Sequence, residues 1–437
     1  MNNFEKKVGL IFLLFIVPLL FLPKVNIVSF NAESAGLRID DFILLIAGLF
    51  LFWAHYQLHK RLYHIEAWIL AVTLFGFLSF ISNQALVSMG ILILNAKIFY
   101  CVRLLEYFIF FYIGTLSAHI IRGKLIVQAL FLWNIVMMVL QKFRFTGAIT
   151  TEGYAGDVSG RVFGVASFPS EMGLILNLLF CYFMFDNSAQ SKILKLFPSY
   201  VRSIFHQFYP YWMFALFSIF IVLTGNRISI LALFVCFVFK LKQEFKWRSI
   251  APVLLIVSLS PIIAGIIYLI TSTDLYERSA ELLSFNNLKL FNIVWDKIDL
   301  TKNPVGNEVV ASDQYDMSWF LRAHKWIYIV RVFISHPECY LQGLGPGTAW
   351  AALDGGILRI FVEYGIIGSF LFWKFFSSLA KINQQMKWMT IALAINMIFF
   401  DAYLAYKAMS IYLFIGGMIF ETNLMKKEDE IKLYSSA

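Results

Sequence analysis

A chain of 437 residues that is 60% hydrophobic and only 14% charged, with a mean hydropathy of +0.73, is too apolar for water to be its main solvent. Its formal net charge of +9 would point to nucleic acid in a soluble protein, but lysine and arginine also collect in the cytoplasmic loops of membrane proteins, so no nucleic-acid partner is expected. The long runs are apolar on every side rather than alternating, which excludes an outer-membrane barrel and leaves an all-α polytopic integral membrane protein.

The first run, Val8 to Pro23, follows Lys6 and Lys7 as a secretory signal would. No small-x-small cleavage site follows it, so it is read as a retained helix. Runs of bilayer-spanning length continue along the chain, giving about twelve transmembrane helices at roughly 8–23, 41–56, 65–83, 99–120, 125–141, 171–186, 211–225, 227–241, 249–271, 355–374, 388–405 and 408–424. Alternate loops carry Lys60/Arg61, Arg122/Lys124, Lys192/Lys195/Arg202, Lys242/Lys246/Arg248 and Lys374/Lys381/Lys387, and the tail carries Lys426/Lys427. The positive-inside rule therefore puts both termini in the cytoplasm. Three segments then face outward: 142–170, the turn at Gly225-Asn226-Arg227, and 271–355. The organisation expected is a membrane domain over 1–270 with nine spans, a periplasmic loop over 271–355, and a second membrane portion over 356–437 with the last three spans and a cytoplasmic tail. A loop as long as 271–355 usually carries function or structure of its own. Within it, Met317 to Ile334 has apolar Trp319, Ala323, Trp326, Val330 and Phe333 at helical spacing with Arg322 and Lys325 to one side, the pattern of an interfacial amphipathic helix.

The outer face holds three arginines in polar, glycine-rich settings: Arg161, Arg227 and Arg322. A guanidinium is planar and permanently charged, which suits it to two-pronged capture of phosphate oxygens. Each could equally snorkel to lipid headgroups, but three on one side favour a shared anion. Arg227 also begins a span, where free backbone N–H groups favour negative charge. Further on, Gly343, Gly345, Pro346 and Gly347 form a close-approach loop before Asp354, which stands at the mouth of the tenth span. Arg359 and Glu363, four apart on that span, either neutralise each other or serve the chemistry. No Asp-x-Asp motif or histidine cluster occurs on the outer face, and His55 and His59 on the cytoplasmic side read as interfacial, so no catalytic metal and no cofactor is expected. Of the four cysteines, Cys101, Cys181 and Cys236 lie in or beside spans and Cys339 in the long outer loop, which gives no disulfide framework.

The order of these motifs is Arg161-x-x-Gly-x-x-x-Phe-Pro, Gly-Asn-Arg227-x-Ser, Arg322-x-x-x-Trp326, Pro337, Gly343-x-Gly345-Pro-Gly347, then Asp354 and Glu363-x-Gly365-x-x-Gly368. It resembles that of the O-antigen polymerase and O-antigen ligase superfamily. The resemblance covers Arg161 to Gly368; the N-terminal third agrees in hydropathy and in Arg38-Ile-Asp-Asp41. It implies a GT-C-like glycosyltransferase of the bacterial inner membrane acting on undecaprenyl-diphosphate-linked oligosaccharides at the periplasmic face, with membrane lipid and a chain-length regulator protein as partners. In the roles so implied, Asp354 is the base with Glu363 as second choice, and Arg161, Arg227, Arg322 and Arg359 hold the diphosphate. Ligases of that superfamily carry a histidine nine residues before the glutamate; here that residue is Asp354, followed by Gly355 rather than asparagine, which favours a polymerase. The rivals are an O-antigen ligase and a transporter or flippase of lipid-linked oligosaccharide, the latter disfavoured because the charges gather at the outer surface.

Overall fold

The computed structural model describes residues 3–24, 26–29, 36–120, 123–150, 158, 160–185, 199–244, 285–301, 317–349 and 352–435. Within these it is helical apart from one short antiparallel ribbon, β1 (Asn26–Ser29) with β2 (Gly36–Arg38). The helices are α1 (Asn3–Phe21), α2 (Ile39–His59), α3 (His64–Ser88), α4 (Phe99–Ile120), α5 (Gly123–Lys142), α6 (Pro169–Met184), α7 (Ser199–Thr224), α8 (Arg227–Glu244), α9 (Phe285–Lys297), α10 (Met317–Ser335), α11 (Gly356–Ala380), α12 (Gln384–Asn396) and α13 (Tyr406–Ser435). Five stretches are long and apolar enough to cross a membrane: α3, α4, α5, α11 and Tyr406–Glu428 of α13; Gly9–Phe21, Pro169–Met184 and Tyr209–Thr224 are apolar but shorter. The chain is thus a helical membrane protein.

Helices stand where apolar runs predict them, with informative exceptions. The run at 249–271 lies outside the described residues. Helix α7 starts at Ser199 rather than near 211 and continues through Pro210. The run at 388–405 is not one helix: α12 stops at Asn396, and a short 3-10 turn, Ala402–Leu404, follows before α13. In this interruption stands Asp401, whose carboxylate accepts the backbone N–H of Leu353 (2.8 Å) and of Gly355 (3.1 Å). Local starts follow ordinary capping chemistry. Glu66 accepts the Tyr63 N–H (2.7 Å) at the head of α3, Asn383 accepts the Met386 N–H (2.8 Å) at the head of α12, and Pro169 opens α6 where its missing N–H costs nothing.

Two apolar cores result. The larger joins α1–α8 to α11–α13, with Phe110, Phe180, Phe217 and Tyr412 sealed inside. Helices α4 and α13 pack most closely at its centre. A Cβ on Gly417 would land on the Phe111 carbonyl, and one on Gly114 on the Phe414 carbonyl, so the backbones touch directly. Small residues permit such approach where lipid supplies no hydrophobic drive between helices. Leu14, Phe15, Leu74, Leu78, Trp212 and Trp373 face outward, as a lipid-facing surface requires.

The smaller core is a cap formed by α9, α10, the 339–353 loop and the first turns of α11, with Leu290, Val294, Ala323, Ile327, Cys339, Leu344, Leu353 and Val362 buried together. Helix α10 has the expected bounds, and one of its faces packs on protein. Phe320, Ala323, His324, Ile327 and Tyr328 pack on protein, while Leu321 and Ile334 point outward. All four cysteines are buried and free.

The α4–α13 contact has a direct test. Gly417→Val forces a branched side chain onto the Phe111 carbonyl, an overpacking of about 3 kcal/mol. The purified variant is expected to melt well below the parent or to aggregate in detergent; an unchanged melting temperature would refute the direct backbone contact.

Candidate functional site

The site is built on an interrupted helix. Gly365 in α11 adopts φ 63°, ψ −164°, which breaks the helical ladder one residue after Tyr364. Only glycine takes that conformation cheaply. Apolar surroundings offer no water to the backbone groups so released, and the glycine-rich loop supplies partners instead. Ile366 N–H donates to Tyr340 O (3.0 Å) and Ile367 N–H to Leu341 O (3.2 Å). In return, the carbonyls of Val362 and Glu363 accept the N–H groups of Leu344 (2.8 Å) and Gly345 (3.0 Å). Two polar side chains of α3 lock the loop from the other side. Ser79 donates to Gln342 O (2.6 Å), and Asn83 donates to Leu94 O (2.9 Å) and Leu344 O (2.6 Å) while accepting from Ala96 N (2.8 Å).

Just before the break, Arg359 is wholly buried. Its Nε bonds Glu363 Oε1 (3.1 Å), its Nη1 bonds Asp401 Oδ2 (2.9 Å), and its guanidinium carbon lies 5.1 Å from the centre of the Tyr100 ring. Glu363 also accepts the Ala349 N–H (3.0 Å), with the Tyr403 hydroxyl 3.5 Å from its other oxygen. Arg359 and Glu363, named from sequence as a diphosphate ligand and the second-choice base, therefore meet each other inside the protein, and in this arrangement neither carboxylate nor guanidinium faces solvent. Their joint effect is mechanical: through Glu363 and Asp401 they hold the backbone at Ala349, Leu353 and Gly355.

That held segment presents Asp354. Its φ of +56° is unusual for a residue with a side chain, and conformations of this kind cost on the order of 1–3 kcal/mol unless the surroundings impose them. Here both neighbours are pinned by Asp401, and Trp326 of α10 donates to Leu353 O (2.8 Å) while Lys325 donates to Ala352 O (2.9 Å). Arg322 Nε donates to Asp354 Oδ2 at 3.1 Å, with the two side chains 30% and 38% exposed. This ion pair is reachable from solvent, unlike that of Arg359. Partial burial raises the Asp354 pKa above the usual carboxylate value; the positive charges of Arg322 and Lys325 oppose the rise, and Asp401 adds to it.

Arg161 and Arg227 meet at a neighbouring turn. Arg161 donates to the carbonyls of Thr224 (3.3 Å) and Gly225 (3.4 Å), and Val162 N–H bonds Leu223 O (3.1 Å). Gln141 fixes the adjoining loop by accepting from the N–H groups of Phe163 and Gly164. Arg227 is half-buried at the first position of α8. A polar path leads from this turn toward Asp354: Asn226 bonds Ser229 (2.7 Å), Ser229 bonds Asn396 (2.6 Å), and the carbonyls of Met397 and Phe400, just beyond, accept the N–H groups of Ile357 and Gly356. The fold thus brings Arg161 to the Arg227 turn and Arg322 to Asp354, on elements joined through α12.

Sequence reading passed over Asp401, Ser79, Asn83 and Tyr100. A lone aspartate inside the apolar run 388–405 was the signal for the first, since ionisable groups at membrane depth are rare and costly. A cavity of about 420 Å³ lies elsewhere, between the head of α3, the tail of α11 and α13, with Trp68, Lys374, Lys381 and Lys427 among its walls. His55, expected at the interface, is buried. No family model matches the chain, and no curated protein matches it.

The buried cluster predicts unequal effects of its members. Arg359→Leu strands two buried carboxylates and is expected to cost on the order of 3–5 kcal/mol, seen as loss of folded protein. Glu363→Gln leaves the Arg359–Asp401 pair intact and should lose less, and adding it to Arg359→Leu should restore part of the yield. Equal damage from both single changes, with no rescue in the double, would contradict this charge balance.

Proposed function

We propose that the chain is a polymerase of O-antigen or a related surface polysaccharide, a metal-independent glycosyltransferase of the bacterial inner membrane. It transfers a growing glycan from undecaprenyl diphosphate to a sugar hydroxyl of another undecaprenyl-diphosphate-linked repeat unit at the periplasmic face. The observation that carries this reading is the solvent-reachable Arg322–Asp354 pair on a backbone held from beneath. It is joined to the motif order from Arg161 to Gly368.

In this reading Asp354 accepts the proton of the acceptor hydroxyl as that oxygen bonds to the donor's anomeric carbon. The bond from the same carbon to the diphosphate oxygen breaks, and the diphosphate leaves with the electron pair. Arg161, Arg227 and Arg322 meet the negative charge that develops. An arriving diphosphate competes with Asp354 for Arg322. As that contact loosens, the carboxylate loses the charge that lowers its pKa and becomes a stronger base. A chain-length regulator would act on the product outside this site.

Two alternatives remain in the argument. An O-antigen ligase uses the same donor but ends on lipid A core; aspartate in place of the histidine of such ligases speaks for the polymerase. A transporter or flippase is favoured by one observation, the interrupted helix α11 with buried charge beside the break, an arrangement that carriers use at their binding sites. Deleting the gene in its host separates them. A polymerase leaves lipopolysaccharide with one repeat on core, a ligase or flippase leaves bare core, and an unchanged ladder refutes all three.

Asp354→Asn keeps size and hydrogen bonding but removes basicity, so chain extension by the purified protein should fall about a hundredfold to ten-thousandfold at unchanged folding. Long chains at near-parental rate would remove Asp354 from the chemistry.

The pH profile supplies an independent check. Asp354 must be ionised to act, and burial raises its pKa above the ordinary 3.8, so the rate is expected to fall on acidification at a pH above the usual carboxylate range. Arg322→Gln removes a charge that lowers this pKa, so its acid limb should move to still higher pH relative to its own maximum. A limb unmoved or shifted downward would contradict the assignment.

A further inference from the structure

A second cluster of titratable groups occupies the end of the bundle that carries Lys60, Arg61, Lys426 and Lys427, away from the Asp354 site. His55 and His59 project from the last turns of α2, and their spacing of four puts them on one face, with ring centres 4.5 Å apart. Glu421 of α13 faces them: His59 Nε2 stands 3.2 Å from Glu421 Oε2. One donor atom from each of His55, His59 and Glu421 lies within 4.8 Å of the other two. The side chains are 3%, 9% and 2% exposed.

Buried polar atoms are normally hydrogen-bonded. Here His55 Nε2, His59 Nε2 and Glu421 Oε2 are all buried and none has a hydrogen-bond partner, although two of them are 3.2 Å apart. The 3.2 Å approach of His59 to Glu421 can form an ion pair, and the same convergence of donor atoms can be bridged by a cation instead. The ligand atoms of a tetrahedral zinc ion stand about 3.3 Å apart, given metal–ligand bonds of about 2.0–2.1 Å, so small rotations of these side chains would close the set. Outer partners that orient ligands are present as well. His59 Nδ1 lies 3.2 Å from the Tyr63 hydroxyl and Glu421 Oε1 lies 2.7 Å from His119 Nε2.

We propose that His55, His59 and Glu421 form a site for a divalent transition-metal ion, with zinc the best match to two imidazoles and one carboxylate. The ion ties α2 to α13 and leaves one coordination position for water. The site is a clamp distant from the proposed glycosyl transfer, and it stands whether or not that function is correct.

The test uses the full-length protein in detergent, stripped with a chelator and titrated with Co²⁺ as a spectroscopic stand-in and with Zn²⁺ by calorimetry. Uptake of one ion with visible d–d absorption, and a rise in melting temperature on adding Zn²⁺, is the expected result. His59→Gln and Glu421→Gln should each lose affinity by roughly a hundredfold or more, at least the loss typical of an outer partner. The exposed His64→Ala should bind as the parent does. Failure of the parent to take up either ion at micromolar concentrations overturns the proposal. So does binding that survives both glutamine variants, binding abolished by His64→Ala, or a thiolate-to-cobalt charge-transfer band, which would put the ion on a cysteine.

Discussion

The guanidinium of Arg359 is closed off from solvent, and an unpaired charge so buried would cost several kcal/mol. Its presence obliges the chain to bring Glu363 from one turn along α11 and Asp401 from beyond the end of α12, and to lay Tyr100 of α4 under it. Each carboxylate then has lone pairs to spare, and these collect the N–H groups of Ala349, Leu353 and Gly355. One buried charge therefore accounts for the fixed backbone at Ala349, Leu353 and Gly355 and for the left-handed backbone of Asp354 between the last two. Replacing the cluster by well-packed apolar groups could hold helices together as well or better. It could not set the direction of a loop that lacks secondary structure.

A division of labour follows from exposure. The cluster around Arg359 positions, because nothing reaches it, whereas the Arg322–Asp354 pair is open on one side and retains capacity to exchange partners. Arg161 and Arg227 resemble the second kind, being half-buried around a turn where Ser229 accepts from the Asn226 side chain and Gln141 fixes the adjoining Phe163–Gly164 backbone. Rigid support beneath, adjustable charge above, is the arrangement that positioned catalysis requires. The same reasoning separates the histidine cluster, which is sealed like the Arg359 group but gathers two imidazoles around one carboxylate.

Much of the helical skeleton was legible because burial in lipid demands long apolar runs, and length and hydropathy record that demand directly. The bounds of α4 and α10 could be read almost to the residue. What escaped were features set by partners distant in sequence. Asp401 is outvoted by its apolar neighbours in any window average, and its role appears only with Arg359, 42 residues earlier. The break at Gly365 is compatible with helix until residues 340–345 are seen to supply its hydrogen bonds. Periodicity gave the spacing of α10 correctly but not what covers its apolar face, because a helix packed on protein and one lying on headgroups share a pattern. Among the proposed site residues, the sequence marked the arginines and Asp354 individually, and only the fold distinguishes the exposed pair from the buried one.

Asn83 and Ser79 sit in α3; Asn83 has near partners in Leu94 and Ala96, but its second donated bond and that of Ser79 go to Leu344 and Gln342, 261 and 263 residues away. A growing chain delivers α3 to the membrane long before those carbonyls exist. During that interval the Ser79 hydroxyl and one N–H of Asn83 must be satisfied by lipid-headgroup water, by neighbouring helices or by the insertion machinery, since hydrocarbon cannot bond them. Biogenesis therefore leaves α3 without its final partners until the last third of the protein has been made. The assembly of the glycine-rich loop against α3 then becomes a late commitment step, one that quality-control proteases can interrogate before the protein is released to work.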